Sequence, residues 1–164
     1  MASNFEMVVD FNTQFGVLQP GELKPKSDIL EKDPATVQRC MKLVREEMAE
    51  LEKAVIEKDF VETVDALADI IFVAHGMSCG IGVNMDDVFN IVYKSNMSKL
   101  CKNEDEAKET VKYYIDNKEK LGYDSPTYRK APDNINWVVY NESTKKVLKS
   151  IYFNPPDLSY LLKN

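Results

Sequence analysis

Histidine and tryptophan each occur once in these 164 residues, cysteine three times and glycine six times. The scarcity of histidine argues against a di-iron helical bundle, which repeats a Glu-x-x-His motif. Here Phe72 stands three residues before His75, the lone histidine, which reads as a core or interface group inside an apolar stretch. Cys40, Cys79 and Cys101 are odd in number and widely spaced. They form neither a zinc pattern nor a disulfide framework, so reduced thiols in the cytoplasm are the expectation. No run is long and apolar enough to span a bilayer, and the N-terminus lacks a signal-peptide pattern. Positive charge is also in deficit. A formal net charge of −6 argues against nucleic acid or an anionic membrane as partner. No internal repeat or low-complexity tract appears, and the length suits one domain over residues 1–164.

What the chain does have is concentrated acid. Arg45-Glu46-Glu47-Met48-Ala49-Glu50 and Glu62-Thr63-Val64-Asp65-Ala66-Leu67-Ala68-Asp69 read as parts of two consecutive helices. Residues three and four apart share a helix face. Glu47 and Glu50 therefore project together, as do Glu46 and Glu50, and Glu62, Asp65 and Asp69 form a second group. Antiparallel packing lets the two groups converge. Carboxylates at close range repel, and a divalent cation relieves that repulsion. Oxygen-only donors select a hard ion such as Mg²⁺ or Mn²⁺. Glu47, Glu50, Glu62 and Asp65 are the expected metal ligands. Glu46 and Asp69 are expected either behind these ligands or on a second ion, and whichever stays unligated is the candidate general base. Glu52 and Glu57 read as surface charges.

Angular position sets these acids against a simple solvated face. At about 100° per residue, Phe60, Val64, Leu67, Ile71 and Ala74 make one stripe, with Glu62, Asp65 and Asp69 nearly opposite. The acidic side then continues into Phe72, Val73 and Gly76. A helix apolar all round is a buried helix, so the acids are expected to line an interior or a cleft. In the preceding helix the main stripe is Val37, Met41, Val44, Met48, Leu51 and Val55. Cys40, Leu43 and Ala54 form a second edge beside Glu47 and Glu50.

The remaining punctuation predicts an all-α chain with a small β appendix. Ser3-Asn4-Phe5-Glu6 is a capping box that opens a helix ending near Gly16. Residues 17–32, with Pro20, Gly21 and Pro25, read as a loop. Asp33-Pro34 starts a helix to about Lys58. Further helices are predicted over Asp59–Ser78, from the Asn84 and Asp87 start to about Cys101, and over Asn103–Leu121. Phe11, Phe15, Tyr113 and Tyr114 are expected to pack inside. The appendix, residues 122–164, is read as turns over 123–136, a hairpin of Trp137–Tyr140 with Val147–Phe153, and a terminal turn after Pro155-Pro156. In the Asn84 helix, Met85, Val88, Phe89, Val92 and Tyr93 are expected to be buried. Asn96 and Lys99 follow on the same side, an amide and an ammonium at a seam where polar groups need partners.

These residues, in order, resemble the all-α nucleoside triphosphate pyrophosphohydrolase superfamily, which includes MazG, phosphoribosyl-ATP pyrophosphohydrolase and the dimeric dUTPases. The resemblance is carried by EExxE at Glu46–Glu50, ExxD at Glu62 and Asp65, then Asp65-Ala66-Leu67-Ala68-Asp69-Ile70, Gly76, Gly80-Ile81-Gly82 and Ser95-Asn96-Met97-Ser98-Lys99. It covers roughly residues 5–100 and is similar to the phosphoribosyl-ATP pyrophosphohydrolase-like branch. Only 11 residues separate Glu50 from Glu62, which requires a tight turn. The resemblance implies a MazG-like helical bundle, with a catalytic core of about residues 4–121. It also implies Mg²⁺-dependent hydrolysis of a (deoxy)nucleoside triphosphate, or a related nucleotide, to monophosphate and pyrophosphate. It favours Asn96 and Lys99 as phosphate-binding residues and allows a base contact by Asn12 on the N-terminal helix. It further implies a homodimer or dimer of dimers, with the site near a subunit interface. A lone chain of this pattern would leave apolar faces uncovered, for example around Val73 and Met77. Phosphoribosyl-ATP as substrate, and a non-enzymatic helical interaction or metal-binding module, stay open as other readings.

Overall fold

The computed structural model describes residues 1–19 and 21–162. Pro20, counted above among the loop breakers, lies outside them. The described residues form seven helices and one small antiparallel sheet. That is the expected all-α build with a β appendix. Two compact units divide the chain: Met1–Phe89 with the segment from Leu158, and Asn90–Asp157.

In the first unit, α1 (Asn4–Gln14) begins at the predicted capping box. The Ser3 hydroxyl accepts the Glu6 amide N–H, while the Glu6 carboxylate accepts that of Ser3. A short α2 (Ile29–Lys32) lies within the segment read as loop. Four residues are too few for a hydrophobic period, so the sequence carried no signal for it. Asp33 caps α3 (Pro34–Glu57), and its side chain accepts the Thr36 N–H. Lys58 then takes the left-handed conformation (φ 59°), and Asp59 caps α4 (Phe60–Gly80). A two-residue connection returns α4 antiparallel along α3, which is the tight turn required by the spacing of Glu50 and Glu62.

Helix α4 runs two residues past Ser78, through Gly80, and the chain turns at Gly82. Gly82 has φ +75°, and a β-carbon there would lie 1.8 Å from the Lys24 carbonyl oxygen. The Lys26 N–H also donates to the Ile81 carbonyl, 3.0 Å away. The loop before α2 is thereby fastened to the end of α4. Phe5 and Val8 of α1 pack on Cys79 to form this unit's small core.

Helix α4 is not buried, contrary to the expectation from its composition. Only Ala66, Ser78 and Cys79 are buried on it. Phe60, Val61, Val64, Leu67 and Ile71 are exposed, at 79, 72, 50, 47 and 48%. Periodicity reports that a face is apolar, not what covers it. Phe11 and Phe15 are likewise outside the core: both are exposed and stack on each other with centroids 4.4 Å apart.

Helix α5 (Met85–Met97) spans the unit boundary. It ends four residues before Cys101, because Cys101 is drawn into a reciprocal backbone pair with Trp137. Val88 is buried as expected, whereas Phe89 and Tyr93 are exposed.

In the second unit, the predicted single helix over 103–121 breaks at Asn117 into α6 (Glu104–Asp116) and α7 (Lys118–Leu121). The Asn117 side chain donates to the Tyr113 carbonyl, an amide competing for helix backbone. Gly122 ends α7 with φ 73°. The hairpin keeps the predicted strand at Trp137–Tyr140 but pairs it with a different partner. β1 (Pro126–Lys130) lies in the stretch read as turns and runs antiparallel to β2 (Trp137–Asn141). Residues 147–153 supply only a bridge from Val147 to Tyr140. Pro126 at the strand start and two charges at its end masked β1. Asn141, 1% exposed, pins the corner: its amide donates to Asp124 and accepts the Ser125 N–H. Hydrogen bonds from the Ser143 hydroxyl, the Asn141 amide and the Ser125 hydroxyl, in that order, hold the Asp124 carboxyl well below the usual carboxylate range. Cys101, Ala107, Tyr114, Val139 and Leu148 form the core. Tyr114 packs as predicted, and Tyr113 is exposed against its ring edge.

Candidate functional site: an acidic helix pair beside a deep cavity

The α3–α4 hairpin gathers carboxylates from both helices around Glu47. Loss of solvation raises the Glu47 carboxyl above its usual range, and the charges of Glu50, Asp69, Glu46 and Asp65, in that order, push it further. Two helices thus contribute five acids to one neighbourhood. Asp69, expected at the margin, weighs on Glu47 more than Asp65 does. Glu62 is not among these charges; it sits in the first turn of α4, one turn nearer the connection. Glu62, Asp65 and Asp69 are all exposed rather than enclosed. Among the six acids only Glu46 has an ion pair, with Lys42 at 3.4 Å.

The donor chemistry of this set suits a divalent cation. It consists of hard oxygens with excess negative charge, and a single ammonium touches one of them. The side chains do not close on a point: among the described residues, no three Asp, Glu, His or Cys groups are drawn together closely enough to hold an ion. The composition of a ligand set is therefore present, while its side chains do not close on one point.

Beside the acids lies a cavity of about 790 Å³ in the first unit, within the roughly 300–1,000 Å³ of small-molecule sites. Phe11, Leu18, Phe72 and Met77 give it an apolar wall, and Asn12, Thr36, Arg39 and Lys42 add polar groups. Phe11 meets Phe72 edge to face, with centroids 5.1 Å apart. Asn12, 8% exposed, is held by its Nδ2 donating to the Val8 carbonyl at 2.9 Å. Burial pushes the neighbouring Cys79 thiol up, and a hydrogen bond with Asn12 opposes that shift. Val73 and Met77, expected to be uncovered, instead line this cavity half-buried. Cys40 and Leu43, the second edge of α3, line it too.

Glu46 is the one acid of the six on the cavity wall. The cations Arg39 and Lys42 escaped the sequence reading because their signal is positional: each precedes or follows the Cys40 edge on the same helix. Asn96 and Lys99 belong to the second unit and find each other, with Lys99 Nζ donating to Asn96 Oδ1 at 2.6 Å. Asn96 is exposed rather than buried, and its Nδ2 donates to the Val92 carbonyl. His75 is half-buried edge-on to Phe5, and its Nδ1 has no hydrogen-bond partner.

The chain resembles an uncharacterized protein of Acanthamoeba polyphaga mimivirus at 28% identity, over 99% of this chain and 96% of that one. Residues 21–96, just under half of the chain, match the phosphoribosyl-ATP pyrophosphohydrolase family. That segment contains α2, α3 and α4 and all six acids. Over residues 21–96 the chain is accordingly similar to the phosphoribosyl-ATP pyrophosphohydrolase family, which lies within the MazG-like all-α nucleoside triphosphate pyrophosphohydrolase superfamily.

Proposed function

We propose that this protein hydrolyses a (deoxy)nucleoside triphosphate, or a closely related nucleotide, to the monophosphate and pyrophosphate, using Mg²⁺ held by acids of α3 and α4. The family supports a nucleotide pyrophosphohydrolase activity in general. The observation that carries the finer reading is the convergence of Glu50, Asp69, Glu46 and Asp65 on Glu47. Glu47, Glu50, Glu62 and Asp65 are the residues that would hold the ion, with Mn²⁺ as a substitute. When bound, such an ion neutralises phosphate charge and makes a water more acidic.

The chain's own groups supply the rest. Water adds across the α–β anhydride, the bridging oxygen leaves with one product, and the water's proton passes to a free carboxylate oxygen of Glu46 or Asp69. The cavity takes base and sugar, and Asn12 on its wall is proposed to contact the base. Asn96 and Lys99 are proposed to bind phosphate oxygens. The setting is cytoplasmic, in keeping with three free cysteines. Among the described residues, no single helix is long and apolar enough to cross a membrane.

Substituting the ligands tests the site. Glu50→Ala and Asp65→Ala should abolish turnover of nucleotides with Mg²⁺ while the circular dichroism spectrum stays unchanged. Near-normal rates in either variant would sink the assignment.

A further inference from the structure

We propose that Lys42 is the side chain that meets the nucleotide's phosphate chain where it passes from the cavity to the acids. This rests on the pyrophosphohydrolase reading above. Four cationic side chains line the cavity: Lys26, Lys32, Arg39 and Lys42. Three are engaged away from the acid cluster. Lys26 pairs with Glu22, Lys32 pairs with Asp28, and Arg39 donates to the Thr36 hydroxyl. Lys42 alone is paired with a member of the cluster, Glu46.

Lys42 and Glu46 are therefore the junction between cavity and acids. A nucleotide with its base in the cavity and its anhydride at the acids must run past this pair. The pair is loosely held. Both side chains are substantially exposed, 74% for Lys42 and 47% for Glu46, and ion pairs four residues apart on a helix surface are weak. A phosphate oxygen offers the ammonium a more highly charged acceptor. Lys42 then exchanges Glu46 for phosphate.

Calorimetry of the full chain with inorganic tripolyphosphate in Mg²⁺ tests this, because it reads phosphate binding without hydrolysis. Lys42→Ala should weaken binding about 5- to 10-fold, the upper range for an exposed charge-assisted contact. Lys42→Arg should restore most of it. Lys53→Ala, an α3 lysine off the cavity, should change nothing, and all variants should melt as the unchanged protein does. The proposal is overturned if the unchanged protein does not bind tripolyphosphate, or if the Lys42→Ala change is no larger than that of Lys53→Ala. Binding that depends on Lys42 in a protein that hydrolyses no nucleotide would keep this contact and reject the pyrophosphohydrolase reading.

Discussion

Glu47 is the residue on which the account of the site turns. It is the acid whose carboxyl is raised by its neighbours, with loss of solvation as the first cause. A carboxyl raised on folding holds its proton more tightly folded than unfolded. It therefore adds stability below its unfolded value, and that stability is lost as pH rises through the raised folded value. At neutral pH the charged Glu47 works against the fold. In a chelating buffer, Glu47→Gln should raise the midpoint of thermal unfolding near about pH 7 and leave it nearly unchanged near about pH 3.5, where the carboxyl is neutral in both states. Equal gains at both pH values would mean that ionisation is not the cause. A loss at pH 7 would mean that Glu47 is held by a favourable partner.

At the scale of elements, signals set by a few adjacent residues were read correctly. Ser3 with Glu6, Asp33 with Pro34 and the tight connection before Phe60 each place a cap or turn by local chemistry, and each is found. Distant partners decided where the reading failed. Cys101 leaves α5 because Trp137 pairs with its backbone, and β1 exists because β2 lies beside it. Of the candidate site, the grouping of Glu46, Glu47 and Glu50 with Asp65 and Asp69 was legible from i, i+3 and i, i+4 spacing on two antiparallel helices, while Glu62 lies outside the charges acting on Glu47. The cavity was legible as the Cys40 and Leu43 edge of α3 and the Phe72, Val73 and Gly76 continuation of α4, while its remaining wall comes from α1 and the loop held at Gly82. Nothing on α3 encodes those distant segments.

At the scale of the whole molecule, an apolar stripe along α4 is left exposed by the described residues. Contiguous exposed apolar surface of this kind marks an interaction site. A second groove on that stripe, formed by Phe60, Val61, Val64 and Ala68, includes Asp65 of the acid cluster. We take the cover to be a second copy of the chain, giving a homodimer or dimer of dimers with the acids at the edge of the interface. Light scattering should then report a dimer or tetramer, and Leu67→Glu, placing charge in the middle of the stripe, should yield monomer. A monomeric unchanged protein at micromolar concentration would refute this.

The central claim, that the paired acids and the cavity serve cleavage between the α- and β-phosphates, is tested most directly by the products. The purified protein is incubated with Mg²⁺ and a panel of nucleoside triphosphates and deoxynucleoside triphosphates, and phosphorus NMR follows what is formed. The account predicts monophosphate and intact pyrophosphate in equal amounts from at least one nucleotide. Diphosphate with orthophosphate as the primary products, or no turnover of any nucleotide, would contradict it.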